Sequence, residues 1–174
     1  MKRSLKPTII YVEDNHGDAL LLQEALTERH HDDIALVVID HGAKAMHYFE
    51  VKAKVKDIPP PHCILLDTHV PIVTGIQLIT FIRSSPSYTG TPVYVFASES
   101  DYRLLRASTE VSKESFLIKP SAWEGFLDLA DLLMASASAK ADDTKASPAD
   151  SQPEVHATGT LRLHPSSAEN GTKP

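Results

Sequence analysis

Ile64-Leu65-Leu66-Asp67-Thr68-His69-Val70-Pro71, closed by Gly75, is the stretch whose reading decides the fold. With Cys63 before it, the run gives four consecutive apolar residues that end on a carboxylate. An unbroken apolar run fits a strand buried on both faces, as in a parallel sheet, better than a half-solvated strand that would alternate. Asp67 therefore falls at the carboxyl end of a central strand, the edge at which open α/β sheets bind ligands. Pro71 and Gly75 impose a turning loop there before the next helix begins.

Working outward from that strand, the chain alternates short apolar runs with helical stripes. Thr8 to Val12 is a β-branched first strand that ends in the turn composition Glu13-Asp14-Asn15-His16-Gly17. Leu21, Leu22, Ala25 and Leu26 recur at helical spacing, and Ile34 to Ile39 reads as the second strand. Ala45, Met46 and Phe49 mark a helix after Gly42, and Lys52 to Pro61 reads as a charged loop ended by Pro59-Pro60-Pro61. Beyond Gly75, Leu78, Ile79 and Ile82 predict a third helix, broken by Ser84 to Gly90, and Pro92 to Phe96 a fourth strand. Leu104, Ser108 and Val111 suggest a weaker fourth helix, and Phe116 to Ile118 a fifth strand running into Lys119-Pro120. Trp123, Phe126, Leu127, Ala130 and Leu133 then give the last helix its stripe. Five strand-helix units in strict alternation imply a doubly wound parallel sheet with helices on both faces.

Composition bounds the rest. The chain has 174 residues, room for one ordinary core. From about Ala137 to Pro174 the sequence turns to Ala, Ser, Asp, Lys, Thr and Pro with few apolar residues, which predicts a disordered tail. Residues 1–7 read as a short basic extension, and residues 8–136 as the folded domain. A net charge of -6 lacks the basic face that nucleic-acid binding needs. No stretch is long and apolar enough for a signal peptide or a membrane span, so a cytoplasmic protein is expected. The single cysteine, Cys63, lies inside an apolar run and reads as a buried thiol in a reducing compartment.

Three groups fall at the carboxyl ends of three strands: Glu13-Asp14, Asp67 and Lys119. In a doubly wound sheet those ends meet in one crevice. Clustered carboxylates resist ionising together unless a cation joins them, and Mg²⁺ suits oxygen ligands and bridges to phosphate oxygens. Lys119 adds a compact positive charge for a phosphoryl oxygen. Each motif alone has an ordinary explanation: a strand-end Asp caps a turn, and Glu-Asp before a helix complements its dipole. Their joint placement is what points to phosphoryl transfer. The nine histidines contain no zinc-ligand spacing, and His16 and His69 matter here only as neighbours of the crevice.

On Glu13-Asp14, Asp67 with Pro71 and Gly75, and Lys119-Pro120, the chain resembles a response-regulator receiver domain from about Thr8 to Ser136. The resemblance implies a flavodoxin-like sheet of strand order 2-1-3-4-5 with five helices. It also implies that Asp67 accepts a phosphoryl group from the phosphohistidine of a sensor histidine kinase. Asp14, Asp67 and the backbone carbonyl of His69 would hold Mg²⁺, Glu13 would act through water, and Lys119 would contact a phosphoryl oxygen. Gly42 with Ala45-Met46, the Pro59-Pro60-Pro61 loop and Arg83-Ser84-Ser85-Pro86 look closer to the stand-alone regulators paired with bacterial phytochrome-type kinases.

One position departs from the family. Its fourth strand ends in a Ser or Thr that bonds the phosphoryl group and couples it to an aromatic on the fifth strand. Here that position is Ala97, and the aromatic is Phe116. Ser98 is adjacent, but alternation along a strand should turn it elsewhere. Three readings follow. The first is a phosphoaccepting regulator that is no enzyme beyond its own phosphorylation and dephosphorylation. Its output is a protein contact on the face of the fourth helix, fifth strand and fifth helix, which could also form a homodimer, with Tyr102 as an exposed anchor. The second is a degenerate receiver that binds without phosphorylation. The third is a phosphatase of the haloacid dehalogenase type, disfavoured because the Asp it needs two residues after the nucleophile is His69.

Overall fold

The apolar runs become five short parallel strands, each followed by a helix. The structure is a computed structural model that describes residues 6–30, 33–55, 58–108, 112 and 115–143. Its elements are β1 (Thr8–Val12), α1 (His16–His30), β2 (Ala35–Ile39), α2 (Gly42–Lys54), β3 (Cys63–Asp67), α3 (Gly75–Ser84), β4 (Val93–Ala97), α4 (Glu99–Ser108), β5 (Phe116–Ile118) and α5 (Trp123–Asp143). The sheet order is β2-β1-β3-β4-β5, all parallel, the expected flavodoxin-like arrangement.

Every residue of β3 is buried, because the strand lies between β1 and β4 with helices over both faces. Its side chains alternate. Cys63 and Leu65 pack with Ile9 and Tyr11 of β1 into the core under α1 and α5, along with Leu22, Leu26, Phe96 and Leu133. Ile64 and Leu66 pack with Ile10 and Val12 into the opposite core, with Phe49, Leu78, Ile82, Val95 and Phe116. The period of two thus feeds two cores from one apolar run.

Several local expectations shift. Leu21 is 37% exposed, and the buried stripe of α1 is Ala19, Leu22, Ala25 and Leu26. The loop expected from Lys52 starts later, since α2 continues through Lys54, where Lys52 and Lys54 complement the carboxyl end of the helix dipole. A single 3₁₀ turn, Pro86–Tyr88, lies between α3 and β4. The fourth strand runs one residue further than expected and includes Ala97. Val111, expected in the fourth helix, lies outside the described residues. The fifth helix continues to Asp143, past the expected domain edge at 136. The expected tail from residue 144 onward and residues 1–5 of the expected extension lie outside the described residues.

Cys63 is fully buried, and that burial pushes its thiol up to about 12. A thiol that is neither exposed nor ionised is a poor nucleophile. Ellman's reagent at mildly alkaline pH should therefore label Cys63 only after denaturation, and prompt labelling of the native protein would contradict this packing.

Candidate functional site

At the carboxyl edge of the sheet the strand ends deliver their charged residues to one place. The Lys119 ammonium, just past β5, lies 2.6 Å from Glu13 Oε2, 3.0 Å from Asp18 Oδ2 and 3.1 Å from Asp67 Oδ1. One oxygen each from Glu13, Asp14 and Asp67 all fall within 4.8 Å of one another. Glu13 and Asp67 are buried, whereas Asp14 is exposed at the mouth. Four carboxylates against one ammonium leave a formal charge of about −3 in a half-closed site, a surplus that favours a cation. The all-oxygen donor set fits a hard divalent ion.

Glu13 is satisfied on both oxygens. Tyr11 Oη donates to Oε2 at 2.8 Å and the Asn15 backbone N–H donates to Oε1 at 3.0 Å. Burial pushes the Glu13 carboxyl up, opposed by the hydrogen bonds from Lys119, Asn15 and Tyr11. Burial by itself would lower Lys119, but the carboxylates around it outweigh that, and its pKa stands above the ordinary lysine value. Lys119 is thus held as an ammonium. Tyr11 is raised by burial and then by the Glu13 charge, so its hydroxyl remains a donor.

The loop after β3 is positioned by backbone contacts that leave no room for side chains. A Cβ on Gly75 would sit 2.3 Å from the carbonyl oxygen of Asp67, and one on Gly42 would sit 1.9 Å from that of Val73. Thr74 caps α3 reciprocally: its hydroxyl accepts from Gln77 N–H while Gln77 Oε1 accepts from Thr74 N–H. Between these anchors Ile72 is forced to φ 69° and is 79% exposed, an uncommon state for a β-branched residue that costs on the order of 1–3 kcal/mol. The His69 N–H donates to Asp67 Oδ2 at 3.3 Å. The exposed His69 ring contacts Thr68 Oγ1 at 2.9 Å and lies 3.6 Å from Asp101.

Ala97 is fully buried at the end of β4, and no hydroxyl stands in for it from the next residue. Ser98 caps α4 instead, accepting from the Asp101 N–H and bonding the Asp101 carboxylate. Phe116 is buried with Tyr102 edge-on at 6.2 Å. Tyr102 is therefore half-buried cover for Phe116 and not the exposed anchor its sequence position suggested.

Sequence reasoning brought Glu13, Asp14, Asp67 and Lys119 to one site but missed two participants. Asp18 lies in the first turn of α1, directly after the Glu13-Asp14 loop, and an acidic residue at that helix start beside the crevice was a signal that could have revealed it. Tyr11 carries a hydroxyl between the apolar Ile10 and Val12 of β1, which was a signal as well.

The family model for the response regulator receiver domain matches residues 9–131. The chain belongs to that family. It is 29% identical over 111 residues to response regulator Rcp1 of Synechocystis sp., covering 64% of this chain and 75% of that protein. A solved Mn²⁺-bound form of Rcp1 matches at TM-score 0.56 with 24% identity, over 83% of this chain and 99% of that one. The bacteriophytochrome response regulator AtBRR matches at TM-score 0.60 with 25% identity, over 76% and 94%. The phosphorylated cyanobacterial phytochrome response regulator RcpA matches at TM-score 0.64 with 23% identity, over 78% and 96%. A receiver is a signalling domain.

The Gly75 contact makes a sign prediction. In an unconstrained helix Gly→Ala stabilises by about 1 kcal/mol. Here Gly75→Ala must push against the Asp67 backbone, so urea unfolding should show a loss of roughly 1–3 kcal/mol. A gain in stability would contradict the contact.

Proposed function

We propose that this receiver is a phosphoacceptor in a two-component pathway, with Asp67 taking the phosphoryl group from the phosphohistidine of a sensor histidine kinase. The observation that carries the reading is the Asp67 carboxylate, in contact with Lys119 and clustered with the Glu13 and Asp14 carboxylates at one sheet edge. In the transfer, an Asp67 oxygen forms the bond to phosphorus as the P–N bond breaks and the kinase imidazole keeps the electron pair. Lys119, already an ammonium within 3.1 Å of Asp67, follows the charge onto a phosphoryl oxygen. Asp14, Asp67 and the His69 carbonyl would hold Mg²⁺, with Glu13 acting through water. Bound there, the ion supplies charge neutralisation on the phosphoryl oxygens. The outer role of Glu13 is supported by its own hydrogen bonds, since both its oxygens already accept protein donors.

The partner we propose is a phytochrome-type kinase, a reading supported by the names of the similar structures RcpA and AtBRR. Output is by protein contact on α4, β5 and α5. Leu104 at 68% and Ile118 at 47% exposure are the apolar groups offered there, to a target or to a second copy. No helix among the described residues is long and apolar enough to cross a membrane, and the acidic charge does not suit nucleic acid. We place the protein in the cytoplasm.

With acetyl phosphate and Mg²⁺, intact mass should rise by one phosphoryl group, and both Asp67→Asn and removal of the divalent ion by chelation should abolish the gain. Modification that persists in Asp67→Asn would refute the acceptor. A folded protein that takes neither phosphate nor beryllofluoride would instead fit the phosphorylation-independent binding module, the reading that Ala97 favours. Steady turnover of a phosphate ester would fit the phosphatase reading.

Ala97 generates a separate prediction. A hydrogen bond to a charged group contributes about 1.5 to 3 kcal/mol, and a ligand shifts a two-state equilibrium only by its differential affinity. Without the hydroxyl, wild type should bind beryllofluoride yet show small NMR shifts around Phe116, and Ala97→Thr should enlarge them. Equal responses in the two proteins would mean that another donor fills the role.

A further inference from the structure

Beneath the acidic cluster, on the sheet face covered by α1 and α5, β1 buries a phenol where its neighbours are aliphatic. Tyr11 is fully buried. A hydroxyl taken out of water needs a partner, and this one donates to Glu13 Oε2 at 2.8 Å. Tyr11 and Glu13 are two residues apart along the extended chain, so both project to the same side. The ring is held edge-on against Phe96, with centroids 6.1 Å apart, and the Lys119 ammonium lies 5.5 Å from that same Phe96 ring. Glu13 Oε2 therefore takes two donors, Tyr11 and Lys119, from one side of the sheet.

We propose that Tyr11 is a positioning residue for the acidic cluster: its phenol keeps Glu13 on Lys119 and so weakens the cluster's pull on a divalent cation. This rests on the reading of Glu13, Asp14 and Asp67 as a cation site. A hydrogen bond donated to a carboxylate withdraws charge from it and occupies a lone pair. Removing the hydroxyl while keeping the ring would leave Oε2 with a free lone pair and the cluster with a more negative potential. Both changes act in the same direction, toward tighter cation binding. A tyrosine that served only to fill the core would leave cation affinity alone.

The test is Tyr11→Phe in the full chain, which preserves the ring and its contact with Phe96. Mn²⁺ binding, followed by water-proton relaxation, should tighten by about fivefold, the low end of ordinary coupling between groups. Because Tyr11 acts through Glu13, the same substitution placed in Glu13→Gln should change Mn²⁺ affinity little. In the metal-free protein the Glu13 side-chain carboxyl ¹³C resonance should move on Tyr11→Phe. Wild type that binds Mn²⁺ while Tyr11→Phe binds it equally or more weakly would overturn this proposal and leave the cation site standing. A gain that survives in the Glu13→Gln background would overturn it too. If no variant binds Mn²⁺, the cation-site reading and this proposal fail together.

Discussion

The constraint on which the rest of the structure depends is the sharing of one ammonium, Lys119, among carboxylates from three different elements. Glu13 follows β1, Asp18 lies in the first turn of α1, and Asp67 ends β3. Of the three donors of its ammonium, Lys119 gives hydrogen bonds to Glu13 and Asp18, and the charge also lies 3.1 Å from Asp67. Each carboxylate is costly to hold near the others without that charge, and a half-buried ammonium is costly to hold without them. The fold meets this by bringing the three elements to one edge, which parallel strands do automatically because their carboxyl ends all face the same way.

Precision at that edge comes from backbone packing more than from side chains. Gly42 brings the start of α2 against the loop after β3, and Gly75 lets α3 begin directly over the Asp67 carbonyl. With α3 capped by Thr74 and Gln77, the loop has little freedom left, and Ile72 absorbs the remaining strain in a left-handed conformation at the surface. Strain of this kind persists only where the surroundings over-determine it. Its location beside the phosphoacceptor candidate fits a loop held in one geometry.

The parallel sheet and its strand-end charges were legible because they follow from rules of period and chain direction: the unbroken run ending in Asp67 could be little else, and Glu13, Asp14 and Lys119 sit at fixed offsets from such runs. What stayed hidden depends on distances between elements. Whether Asp18 faces Lys119 or solvent depends on how α1 is rotated about its axis, and periodicity resolves that only loosely, as the misplacing of Leu21 in the buried stripe also illustrates. Tyr11 was absorbed into an apolar run because hydropathy does not register a single hydroxyl. Tyr102 was read as an exposed anchor on the face beside Lys119 and Phe116, yet packing over Phe116 half-buries it.

Under the proposed function, Ala97 would separate the chemistry of the site from its readout. In the proposed function the groups that would meet a phosphoryl on Asp67 are Lys119 and the acidic cluster, which lie toward β1, α1 and β5; none of them requires a side-chain oxygen at position 97. The groups that would report its arrival lie on the other side, where alternation puts Ala97 on the sheet face of Val95 and Phe116. Ser98 does not fill the place in this structure, because its hydroxyl is bound to Asp101 at the start of α4. The charge cluster is meanwhile continuous, through Glu13 and Tyr11, with the core under α1 and α5. On that reading the missing hydroxyl would weaken the connection toward β5 and α4, while the hydrogen bond from Tyr11 to Glu13 beneath the site is present.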